Sequence, residues 1–199
     1  MSLLAPLLHK ITKKKPRSRY VTYQEYVNLA QHGYKRQSVG YLSVSVKRKG
    51  SDTWETLCKD KHNLGTVVGQ DLLHRVLYIN IAAESSGWGA NYIALSTNAS
   101  GADPSHTSVA GEITTNGLAR VGAASLDVRN HSATTNTSTL EHTFTASGAH
   151  SNVQLTGLLN NTVASGTSIL THENTFTATT LASGDELKVT WTITSTFTP

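Results

Sequence analysis

The sequence predicts a mainly β protein: an antiparallel β-sandwich of Greek-key or jelly-roll type, with one or two short helices and an extended basic N-terminal arm. Three observations predict it. First, segments such as Leu187-Lys188-Val189-Thr190-Trp191-Thr192-Ile193 alternate apolar and polar side chains with period two, so one face can bury while the other meets water. Second, the polar positions are filled largely by threonine, whose branched Cβ fits a pleated surface without adding charge. Third, the last 80 or so residues read as five strand-like segments in succession, parted by turn-rich gaps.

Residues 1–20 lack periodicity and carry "KITKKKPRSR", the composition of a flexible basic arm that orders on a partner. In the next unit, 21–39, Thr22 and Glu25 have capping-box spacing and Gly33 offers a left-handed stop, which predicts a helix over 23–32 followed by a linker. The period then changes to two. Leu42, Val44 and Val46 alternate with Ser43, Ser45 and Lys47, and Lys49-Gly50-Ser51-Asp52 supplies a turn, so 40–59 reads as a β-hairpin opening a sandwich domain over 40–199. Val68, Leu72, Leu73, Val76 and Leu77 form an apolar stripe that predicts a second helix over 66–78.

"YIALST" reads as a buried strand with Ile93 and Leu95 facing opposite to Tyr92 and Ala94, and the Gly, Pro and Asn of 97–117 predict an irregular crossing. The five later strands are expected in "LARVGAASLDVR", "STLEHTFTAS", "SNVQLTGLLN", "SILTHENTFTAT" and the terminal segment. The tetrapeptide Thr-Phe-Thr-Ala occurs twice, at 143–146 and 175–178. In phase, Leu140, His142, Phe144 and Ala146 share one face, and Leu170, His172, Asn174, Phe176 and Ala178 share another. Each copy is expected to place a phenylalanine in the core.

Length and composition bound the rest. A chain of 199 residues buries enough surface to fold without a metal or disulfide staple, and its one cysteine, Cys58, forms no internal bridge. That usage suits a reducing cytoplasm. The first twenty residues place apolar groups ahead of positive ones, the reverse of a secretory signal, and no apolar run reaches membrane-spanning length, so no membrane insertion is expected. The net charge of +4 divides unevenly: residues 1–75 hold fourteen Lys/Arg against five Asp/Glu, whereas 76–199 hold three against eight. A basic arm precedes a mildly acidic body.

Catalysis would need a nucleophile with its base, paired carboxylates or a metal cluster. The nine histidines include no His-x-x-x-His pair on a helix, and no Gly-x-Ser-x-Gly elbow or phosphate-binding glycine loop occurs. No catalytic residue, cofactor or metal site is expected, and the chain reads as a non-enzyme. His142 and His172 hold matching places in the repeats and could supply two ligands at most; Glu141 and Glu173 read as outward solubilising carboxylates, and Cys58 as a small half-buried hydrophobe.

Binding chemistry concentrates in the arm. Lys13, Lys14, Lys15, Arg17 and Arg19 would neutralise phosphates or acidic protein surface. Leu7 and Leu8 tilt the arm toward docking on protein, since an exposed apolar cluster seeks a partner. Trp88 in "SGWGAN" is a candidate ligand-stacking residue.

The blocks "KHNLGTVVGQDLLHRVL", "NYIALSTNASGADPSHTSVAGEITTNGLAR" and "ENTFTATTLASGDELKVTWTITSTF" occur in an order that resembles a family of small structural proteins of tailed bacteriophages and related viruses, over about residues 61–199. The resemblance implies a virion component, made in the host cytoplasm, with other virion proteins as partners and a homo-oligomeric state. Tail-associated and head-decoration (capsid-surface) roles are both compatible with it, and the arm and capped helix depart from the family pattern. A receptor- or carbohydrate-binding adhesion module and a nucleic-acid-contacting protein acting through the basic arm are the alternatives.

Overall fold

The computed structural model describes residues 35–69, 89–90, 92–122, 124–132, 136–161 and 168–198. The N-terminal arm, the helix expected over 23–32 and Trp88 lie outside the described residues; of the second helix, expected over 66–78, only 66–69 are described, and 67–69 are helical. Nine strands are described: β1 (Lys35–Lys47), β2 (Trp54–His62), β3 (Leu64–Gly65), β4 (Tyr92–Ser96), β5 (Val128–Ser132), β6 (Thr137–Thr145), β7 (His150–Leu159), β8 (Leu170–Leu181) and β9 (Glu186–Thr198). They form two antiparallel sheets, ordered β2-β1-β9-β6-β5 and β3-β8-β7-β4. The protein is a β-sandwich. Its pairs β5–β6, β4–β7, β3–β8 and β1–β9 nest inside one another, as when one long hairpin is folded over into two layers.

The expected hairpin is present, with β1 beginning at Lys35 rather than at 40. Its turn depends on Gly50, whose φ of +78° suits a residue without Cβ, and the Ser51 N–H closes on Arg48 O at 2.9 Å. Asp185, in the β8–β9 turn, locks the two turns together: its carboxylate accepts from the Lys49 N–H, the Ala182 N–H and the Arg48 guanidinium. Burial works against the Asp185 charge, but these donors outweigh it and hold the carboxyl below its usual range.

Alternation fills the core. Leu42, Val44 and Val46 of β1 and Leu187, Val189 and Trp191 of β9 are fully buried and face Ile93 and Leu95 of β4, Val153 and Leu158 of β7, and Phe176 and Leu181 of β8. Strand β4 is sided as its sequence predicts. Ile93 and Leu95 enter this main core, whereas Ala94, with Tyr92 against it, joins a smaller cluster with Val109, Leu155, Leu159 and Leu170 on the opposite side of the four-stranded sheet. That sheet is therefore buried on both faces, the outer one beneath the loop that carries Val109.

The same loop closes the edge of β4. Ile93 and Val121 exchange backbone hydrogen bonds of 2.9 and 3.0 Å, and Ile113 N–H donates to Leu95 O at 2.9 Å. An unpaired edge is thereby covered. The strand expected through "LARVGAASLDVR" is accordingly corrected: its first half is irregular chain that caps β4, and only Val128 and Arg129 belong to a strand, β5. Leu118, fully buried, anchors the irregular part, and Gly117 before it has a φ of +76°, with the Thr145 carbonyl only 2.1 Å from where a Cβ would stand.

Both repeated phenylalanines are buried, Phe144 at 1% and Phe176 at 6% exposure, in the same core. The shared phase holds for the first copy and breaks in the second. The β7–β8 register shifts between Leu158 and Leu159 and again beyond Leu155, so Leu170 turns to the smaller cluster, Ala178 is exposed and Thr179 is buried instead.

Candidate functional site

The outward face of the five-stranded sheet follows directly from strand register. Residues opposite one another in an antiparallel pair share a face, so the polar positions of five strands line up in rows. One row runs Trp54, Lys47, Glu186, Thr145; the next Thr56, Ser45, Lys188, Thr143; a third Ser43, Thr190, Glu141, Val128; a fourth His62, Tyr41, Thr192, Thr139, Asn130. These four rows are dominated by hydroxyls, with an aromatic in the first and another in the fourth.

Trp54 leans from the edge strand β2 across β1. Its ring centroid lies 5.3 Å from Lys47 Nζ and 4.6 Å from Lys188 Nζ, cation–π contacts worth about 0.5–1 kcal/mol each at an exposed position. Lys47 also pairs with Glu186 at 2.8 Å. At the other end, Tyr41 meets the His62 ring edge-on, with centroids 5.7 Å apart. Between them Thr190 Oγ1 donates to Glu141 at 2.6 Å, and Ser43 Oγ donates to Asp60, a bulge residue with φ of +47°.

The covered side of the four-stranded sheet holds two polar clusters. Glu173 is 1% exposed, and its Oε1 accepts from the Asp103 N–H and bonds His106 Nδ1, each at 2.6 Å. The outward placement expected for Glu173 is thus corrected, because the 97–111 loop lies over that position; Glu141 does face outward. The second cluster joins Arg120 to Glu112 through two hydrogen bonds of 2.9 and 2.6 Å, while Arg120 Nη1 donates to Asn161 O and Ser168 Oγ. This fork ties the loop that caps β4 to the β7–β8 connection.

His142 and His172 sit in different sheets, on β6 and β8, so the repeat does not bring them side by side in one sheet. His142 packs edge-on against Phe144, with Nδ1 3.4 Å from Asp127 Oδ1. Burial lowers His172 to about 4 from its ordinary 6.5. The unfolded chain then takes up a proton at a higher pH than the folded one, so stability falls as pH drops from about 6.5 to 4, by at most about 3 kcal/mol. In urea unfolding followed across that range, His172→Gln should flatten the acid slope; an unchanged slope would remove His172 as its source.

Cys58 is half-buried beside the core, as expected, and burial pushes its thiol up, away from a reactive thiolate. Among the described residues no group of three or more His, Cys, Asp or Glu is placed to hold a metal. Leu7, Leu8, Lys13, Lys14, Lys15, Arg17, Arg19 and Trp88 all lie outside the described residues. Sequence reading missed Trp54 and Tyr41 as surface aromatics. The available signal was their place on the polar phase of β1 and β2. In comparisons with known proteins, no family model, curated protein or solved structure matched the chain.

Proposed function

We propose that this protein is a non-enzymatic structural component of a viral particle, tail-associated or decorating the head, that assembles as a multimer through its N-terminal arm and sandwich edges. One observation carries the reading. The motifs through which the sequence resembles virion proteins are spent on scaffold: "YIAL" is β4, "AGEI" and "GLAR" close its edge and hold the Glu112–Arg120 pair, the second "TFTA" lies in β8, and "SGDELKVTWTI" makes the turn locked by Asp185 and the central strand β9. A shell or tail subunit needs such a body more than it needs a cavity. Among the described residues no further strand pairs with β2 or β5 at the two ends of the five-stranded sheet, and β5 exposes Val128, Arg129, Asn130 and His131.

Light scattering of the full-length protein beside a form lacking residues 1–20 tests it. The full-length protein should form a closed oligomer, with the shortened form a monomer of unchanged melting temperature. If both were monomers, self-assembly through the arm would be excluded, and virion proteins captured by the full-length protein but not by the shortened one would have to carry the reading.

A further inference from the structure

From the edge of β5 we infer an interface between two copies of this chain, in which the β5 strands pair antiparallel across a two-fold axis at Val128 and join two five-stranded sheets into one. It is a sandwich-edge contact of the assembly proposed above and rests on that reading. The four sheet edges differ in how they are kept from pairing. β4 is closed by residues 112–121, and β3 is two residues long. β2 shifts register twice against β1, holds Asp60 at a positive φ and places Lys59 and Lys61 along its second half. β5 pairs with β6 in unbroken register, and Val128 to His131 are exposed. Its one charge, Arg129, is answered within the same edge.

The direction of the main-chain groups sets the register. The Thr143 N–H points toward β5, where it donates to the Asp127 carboxylate at 2.6 Å. By alternation Glu141 and Thr139 turn the same way and are answered by Val128 and Asn130, which directs the main-chain groups of Arg129 and His131 to the open edge. His131 Nδ1 and Ser138 Oγ, 3.1 Å apart, have the close approach of a non-hydrogen-bonded pair, as this phase requires. A two-fold at Arg129 would set like charges opposite each other, and one at Asn130 would set Arg129 against His131. At Val128 it sets Arg129 against Asp127 of the second copy, twice over, and brings together two Val128 side chains that are each 37% exposed. Asp127 Oδ2 takes the Thr143 N–H and Oδ1 lies 3.4 Å from His142, yet the side chain stays 44% exposed and open to Arg129 of the second copy. Five residues a side fall short of the roughly 20–30 of a standard interface, so the contact forms between copies that the arm already holds close.

Disulfide trapping in the full-length protein tests the contact. At the axis the Cα atoms of the non-hydrogen-bonded pair stand roughly 4.5 Å apart, within disulfide reach, whereas Asn130 and its copy lie roughly 13 Å apart. Val128→Cys should therefore give a high yield of the 128–128 disulfide under mild oxidation, read by peptide mass, and Asn130→Cys, on the same face, little. Adding Arg129→Asp to Val128→Cys sets carboxylates opposite each other and should remove most of that yield at an unchanged melting temperature, since Arg129 is exposed. No 128–128 disulfide, equal yields at 128 and 130, or a yield indifferent to Arg129→Asp would overturn the inference. A disulfide seen only after residues 1–20 are removed would overturn it too, by giving the edge to the arm. Light scattering of the same proteins, reduced, keeps the contact and the assembly reading apart. An oligomer without the disulfide overturns the edge contact alone. A monomer that forms it selectively at 128 keeps the contact and removes the arm from assembly, and a monomer without it overturns both.

Discussion

Phe144→Ala is expected to lower the free energy of unfolding by about 3–5 kcal/mol, a large part of what a domain of this size has to lose. Phe144 is 1% exposed, sits on β6 opposite Leu187 of β9, and holds the His142 ring edge-on at a centroid distance of 4.7 Å. Truncation opens a void between two sheets whose backbones are fixed by ladders, so the walls have little freedom to close in. It also strips packing from a histidine whose Nδ1 already lacks a hydrogen bond. Phe176→Ala should fall in the same range, toward its lower end, because Phe176 is 6% exposed beside an irregular stretch of β8 that can relax. Urea unfolding reads both as lower midpoints at unchanged slope. Unaltered midpoints would mean that neither ring fills the core.

Arg120→Ala is the second large expected loss, again about 3–5 kcal/mol, but for an electrostatic reason. The side chains of Arg120 and Glu112 are only 5% and 6% exposed. Removing the guanidinium strands a carboxylate out of water and takes away a donor to Asn161 O and to Ser168 Oγ at the same stroke. The edge of β4 should then loosen, because residues 112–121 cap it. Replacing both partners, Arg120→Met with Glu112→Leu, should be far milder than either single change, since a volume-matched apolar pair leaves no buried charge behind. A double replacement as damaging as Arg120→Ala would show that the fork's geometry, rather than its charge, holds the loop.

The strands that sequence reading recovered are those with an alternating pattern: β1 with β2, the two-faced β4, and β6 to β9. There a local period and a local environment agree. The misreadings share a cause, which is that their environment is supplied from far along the chain. Glu173 lies inside because a loop some 70 residues earlier covers it. Leu118 and Val121 look like strand residues because they are apolar, yet they serve an edge belonging to β4. Ala178 and Thr179 exchange places because β8 shifts register against β7, which no tetrapeptide repeat encodes. Trp54 and Tyr41 were legible as positions on the polar phase of their strands, but their presence together on one face depends on the β1–β2 pairing.

The nesting of the strand pairs also governs when the molecule can become itself. β9 lies between β1 and β6 and pairs with both, and of the nested pairs β1–β9 joins the most distant segments. Until residues 186–198 arrive, β1 with β2 and β6 with β5 are separate fragments, each with an apolar face and an open edge. Their joining waits on the closure of a loop well over a hundred residues long, the slowest kind of contact to form and the one most exposed to mispairing with another chain. The newly made chain is therefore most prone to mispairing just before β9 docks, and that docking separates a sticky nascent chain from a folded protein.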